Sequence, residues 1–165
     1  MKGSFAPTGA LDRLRRILLL ILLIGMSGTA TELILLDHHE DPSQLIPLGL
    51  IAGAFATIAW HLLDKSVVSL RALQMTMVLF IVAGVLGMYL HYRANMEFQR
   101  EMDASIDGMD LFWKAITAKT PPALAPGSML QLGFIGLAYT YRHPAADRFA
   151  RGASGVDVVE KGGVQ

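Results

Sequence analysis

The chain has 165 residues, enough for one domain, with 53% hydrophobic residues, 17% charged and a mean hydropathy of +0.44. That charge fraction falls below the roughly 25% usual in soluble domains, and its placement in blocks points to a membrane protein. Lysines plus arginines equal the acids at 14 each, which excludes a net field for nucleic acid, and the absence of Cys excludes disulfides, thiolate metal sites, Cys nucleophiles and Cys-anchored haem.

Residues 1–10 carry Gly, Pro and Ser without periodicity and read as a loose cytoplasmic tail. Arg13-Leu-Arg-Arg16 then opens a largely apolar run from Ile17 to Leu36. About twenty apolar residues at 1.5 Å each match a hydrocarbon core of roughly 30 Å, so a first helix is expected over 11–36, its span about 14–36. Gly25-Met-Ser-Gly-Thr-Ala30 lies midway along the run, and Leu33 to Leu36 completes it, so an uncleaved helix is expected over a removed signal peptide. Gly25 and Gly28 give it a small-residue packing patch.

Asp41-Pro42-Ser43-Gln44 is a helix start, with Asp41 as N-cap and Pro42 at the first helical position. The second helix is expected to about Leu63, its span about 45–63, with Gly49 and Gly53 forming a G-x-x-x-G pair among alanines. His61 to Ser66 makes a short turn, and Ser69 is the expected cap of a third span, about 69–92. Gly84 and Gly87 supply its packing patch, and Arg93 to Met102 has no Gly or Pro to stop the helix from projecting further. After Gly108, the residues Met109, Phe112, Trp113 and Ile116 recur at helical spacing, which predicts a short amphipathic helix at the outer interface. A fourth span is expected over about 121–141, interrupted near Pro126-Gly127 and packed through Gly133 and Gly136. Residues 145–165 turn polar and Gly-rich, as a flexible cytoplasmic tail would.

With both termini inside, Lys2, Arg13, Arg15, Arg16, Lys65, Arg71, Arg142, Arg148, Arg151 and Lys161 fall on cytoplasmic segments. Only Arg93, Arg100, Lys114 and Lys119 fall outside, the asymmetry that the positive-inside rule predicts. The fold class expected is therefore all-α: an integral membrane, antiparallel bundle of four transmembrane helices with one outer interfacial helix.

Chemistry could gather at either end. His38, His39, His91 and Glu32 offer imidazole and carboxylate ligands for zinc or copper, although adjacent His38 and His39 cannot easily face one ion, and a solvated loop explains most of these residues. Glu32 lies about one turn inside the outer edge, where a carboxylate pairs with Arg93 or His91, carries a proton, or simply snorkels toward the surface. His61 and His143 share the inner end, and with the outer histidines they could ligate two haems, although all these histidines sit at or beyond helix ends. No G-x-S-x-G, S-x-x-K, H-E-x-x-H or phosphate loop is present, so no catalytic residue is assigned.

The stretches Asp37-His-His-Glu-Asp-Pro-Ser-Gln-Leu-Ile-Pro47, His91-Tyr-Arg-Ala-Asn-Met-Glu-Phe98 and Ala138-Tyr-Thr-Tyr-Arg-His-Pro144 resemble uncharacterised small bacterial four-span membrane proteins. The resemblance covers about 11–144, implies a bacterial inner-membrane location, and brings no activity or cofactor with it. The leading functional expectation is a non-enzymatic accessory or assembly subunit without a cofactor. Its partners would be the lipid bilayer and other membrane helices, in a homo-oligomer or a larger complex. A His-ligated haem, zinc or copper protein and an oligomeric proton or ion pathway are the alternatives.

Overall fold

The structure, a computed structural model, describes residues 8–37, 42–118 and 124–145. All regular structure among them is helical: α1 (Thr8–Leu35), a 3-10 turn (Pro42–Gln44), α2 (Leu45–Asp64), α3 (Val67–Met102), α4 (Gly108–Ile116) and α5 (Leu124–Thr140). Three of these, α1, α2 and α3, are long and apolar enough to cross a membrane. The fourth expected span appears as α5, whose 17 residues fall short of that length. At 1.5 Å per residue it reaches about 26 Å.

Helix boundaries have local causes. Lys65 closes α2 in the left-handed conformation (φ 51°), its N–H donating to His61 O. Ser66, rather than the expected Ser69, caps α3: its side chain accepts the Ser69 N–H at 3.1 Å. Position 69 lies inside the helix, which puts the Ser69 side chain in the interior, fully buried. Among the described residues α5 runs unbroken through Pro126 and Gly127, while residues 121–123, which the expected interruption was to set apart, lie outside them. Helix α3 continues past residue 92 to Met102, as the lack of a breaker allowed.

Helix α4 forms where the amphipathic spacing placed it. It buries Leu111 and Ala115 and packs on the far end of α3, where Asn95 donates to Ala115 O at 3.1 Å and Tyr92 meets Phe112 at a centroid distance of 6.0 Å.

The core is apolar and runs through all four longer helices, with Leu22 and Met26 of α1, Ile51 and Ile58 of α2, Leu73, Met77 and Phe80 of α3, and Met129 and Leu132 of α5. Helix α5 lies antiparallel to α3, since Gly84 and Gly87 face Pro126 while Gly133 and Gly136 face Met77. It also runs antiparallel to α1, with Gly25 against Leu132 and Thr29 Oγ1 3.4 Å from Ser128 Oγ. These glycines are what permit the approach. A Cβ on Gly84 would stand 2.7 Å from Pro126 O and 2.8 Å from Leu130 N, closer than packed atoms come. Gly28, Gly49 and Gly53 behave otherwise: a Cβ on any of them would meet nothing within 4 Å among the described residues.

Candidate functional site

A buried polar cluster sits at the end of the molecule that carries the basic collar. His61 is 1% exposed on the last turn of α2, and Ser69 is fully buried at the start of α3. The short Lys65–Ser66 break folds α3 back on α2, and this brings the two side chains together, with His61 Nδ1 3.0 Å from Ser69 Oγ. His143 follows α5, placed by a tight turn in which Arg142 takes φ 47° and the His143 N–H donates to Thr140 O. Its Nε2 lies 3.5 Å from His61 Nε2, and the rings meet edge to face with centroids 4.7 Å apart. Tyr139 closes a third side, 6.4 Å from His61 and 5.7 Å from His143 between ring centroids. From α1, the Arg15 guanidinium donates to Arg142 O at 2.7 Å and pairs with Asp12 at 3.2 Å.

Among the contacts described, one neutral arrangement of protons makes all of them favourable. The Ala145 N–H donates to His143 Nδ1 at 3.3 Å, so that nitrogen is bare and His143 carries its proton on Nε2. That N–H donates to His61 Nε2, which leaves the His61 proton on Nδ1, directed at Ser69 Oγ. Ser69 Oγ then donates to Ser66 O at 3.0 Å and accepts from Ser66 Oγ at 3.2 Å. The result is a directional chain from the Ala145 amide to the Ser66 carbonyl.

Sequence reasoning paired His61 with His143, and the structure brings them together. As arranged, the rings stand edge to face with their Nε2 atoms 3.5 Å apart and hydrogen-bonded, and a ligating His143 would need to donate from Nδ1, which here accepts. The residues that sequence reasoning missed are Ser66, Ser69, Tyr139 and Arg15. The Ser-x-x-Ser spacing directly after a chain break was the available signal for the first two.

At the opposite end lies a cavity of about 490 Å³ among α1, α2, α3 and α5. Its walls are apolar, with Leu33, Leu50, Leu86 and Met129 among them, and Gln44 and His91 also line it. His91 is half-buried there. His38 and His39 lie outside the described residues, so the proposed zinc or copper site with His91 and Glu32 is not described as a unit. Among the described residues, no group of three or more His, Cys, Asp or Glu is placed to hold a metal ion.

Glu32 is exposed on α1, and its expected ion pair with Arg93 does not form. Arg93 instead bonds Glu97 at 2.8 Å, one turn along α3, because an i, i+4 neighbour is nearer than a carboxylate on another helix.

Comparison with protein-family models, with curated proteins and with solved structures finds no match for this chain.

Proposed function

We propose that the chain is an integral protein of a bacterial inner membrane with both termini in the cytoplasm. In this reading it is a non-enzymatic accessory or assembly subunit that binds other membrane helices. Support for membrane residence comes from three long apolar helices and from a broad belt of exposed apolar side chains, such as Leu20, Ile24, Leu63, Val82 and Leu86. Helix α5 serves as the fourth span. Its described residues span about 26 Å, against a hydrocarbon core of roughly 30 Å.

The observation that carries the accessory role is the G-x-x-x-G face of α2. Gly25, Gly84, Gly87, Gly133 and Gly136 are all spent on contacts within the chain, whereas a Cβ added to Gly49 or Gly53 would meet nothing within 4 Å among the described residues. Ala52, Ala56 and Ala59 extend this smooth surface outward. In lipid, where apolar burial gives no net drive, such a surface offers close backbone approach to another helix.

Blue-native electrophoresis of gently solubilised protein tests the reading. Wild type is expected to run as a complex larger than the monomer, and Gly53→Leu is expected to run as a folded monomer. Monomeric wild type, or Gly53→Leu in an unaltered complex, would overturn it. The haem and ion-pathway alternatives draw less support, the first from the closed His61–His143 pair and the second from the exposed, unpaired setting of Glu32 among the described residues.

A further inference from the structure

We infer that the cavity opposite the collar end holds one hydrocarbon chain of an outer-leaflet lipid, its tip near the bilayer midplane and its headgroup level with Gln44 and His91. This rests on the membrane residence proposed above and is independent of the accessory role.

The cavity follows one face of α3. Leu79, Ala83, Leu86, Leu90 and Ala94 line it at steps of three or four residues, a single stripe along that helix. From Leu79 to Ala94 the stripe is about 22 Å long at 1.5 Å per residue. A bilayer of roughly 40–45 Å with its headgroups gives each leaflet a depth of about 20–22 Å. With α3 spanning about 69–92, Leu79 stands near the midplane and His91 near the outer edge. The channel is therefore as long as one leaflet is deep, and it lies in the outer one.

Polarity changes along the channel in the same order as along a lipid. Among the described residues, Gln44 and His91 are the polar side chains on its wall, and no Asp, Glu, Lys or Arg lines it. Both stand at the outer end, Gln44 just before the first residue of α2 and His91 at the close of the α3 span. Deeper in, the wall is Leu79, Val82, Leu50 and Met129, where a polar ligand would give up its hydration without return.

The channel also opens where a lipid enters. Val82, Leu86 and Leu90 line it and are at the same time about half exposed, as part of the apolar belt. A chain can therefore pass in sideways from the bilayer. Volume selects among occupants. The cavity of about 490 Å³ falls within the range of ligand sites. A helix about 10 Å across lying along 22 Å would need about 1,700 Å³, so a helix of a second copy does not fit inside. An unbranched hydrocarbon chain is the slender occupant that the bilayer supplies.

The test uses the full chain in nanodiscs of phosphatidylcholine, with a trace of the same lipid carrying a photoactivatable diazirine at the end of one acyl chain or beside its ester. Leu33 and Met129 line the channel at 3% exposure each, so bulk lipid reaches them only through it. Leu33 lies one turn beyond the Thr29–Ser128 contact toward the outer end, and Met129 lies deeper. The ester-side probe is expected to label Leu33 and the chain-end probe Met129. Val85, exposed on α3 outside the channel, reports bulk lipid. Labelling of Val85 without Leu33 or Met129, as when a second copy or the chain's own residues fill the channel, would overturn the inference and leave membrane residence intact. Labelling at none of the three would overturn both. In Ala83→Phe, whose ring stands in the channel, labelling of Met129 is expected to be lost and that of Val85 kept; Met129 labelled as in wild type would overturn the inference. If Ala83→Phe fails to fold, the wild-type depth pattern decides, and two probes that label Leu33 and Met129 alike would overturn it.

Discussion

Small polar side chains do more at the collar end than the apolar pattern around them suggests. Ser66 satisfies one of the first free N–H groups of α3, and Ser69, three residues on, becomes the acceptor for a buried imidazole. Loss of such a cap costs about 1 kcal/mol, so Ser66→Ala is expected to lower stability by that amount in a denaturant titration. A second residue-scale effect lies at the other end of α3. Asp103, exposed just past the helix, accepts from the Ser105 hydroxyl at 2.6 Å and from the Ser105 N–H at 3.0 Å, and these bonds hold its carboxyl below the usual range. A carboxylate lowered in the folded state stabilises above its unfolded value, and the contribution is lost as pH falls through the folded one. Ser105→Ala is therefore expected to raise the Asp103 midpoint toward the ordinary aspartate value, measured by carboxyl carbon NMR. An unmoved midpoint would show that the hydroxyl plays no part.

Between elements, the α3–α5 seam is the least forgiving contact. Gly133 admits no side chain, because an added Cβ would stand 2.8 Å from Met77 O and 2.6 Å from Ile81 Cγ1, and Gly84 is closed by backbone atoms in the same way. Overpacking of this kind costs about 1–3 kcal/mol, so Gly84→Ala and Gly133→Ala are each expected to destabilise by that amount in a graded-denaturant unfolding series. Gly28→Ala is the control. Among the described residues nothing lies within 4 Å of its added Cβ, and a gain in helix propensity of about 0.5–1 kcal/mol is expected. If all three variants unfold alike, the seam does not hold the fold.

At the scale of the whole molecule, the directions of the helices alternate along the chain: α2 and α5 oppose α1 and α3. Together with the ten-to-four distribution of basic residues, this predicts which loops share a compartment. Reporter fusions after Asp41 and after Lys65 are expected on opposite sides of the membrane, with the Lys65 fusion cytoplasmic. Finding both on one side would remove the membrane arrangement and leave the apolar belt to another partner. The belt itself is broad enough that an aqueous environment is the less fitting setting for it.

Periodicity and composition sufficed for the helices. Apolar runs of spanning length, a break at Lys65, a glycine before the amphipathic stretch and the small-residue patches are all local features of the chain, and each constrains only its near neighbours. The pairing of His61 with His143 was also legible, because alternating helix directions place both at one end. Three-dimensional packing alone decided which glycines are spent and which left free, since Gly49 and Gly84 look alike in sequence and differ in what stands opposite. It likewise decided that Arg93 turns to Glu97 and away from Glu32, and that Ser69 is the hydrogen-bond partner of His61 Nδ1. Such choices depend on distances between segments far apart in the chain. A linear pattern sets what each segment can offer, and the packed helices determine which offers meet.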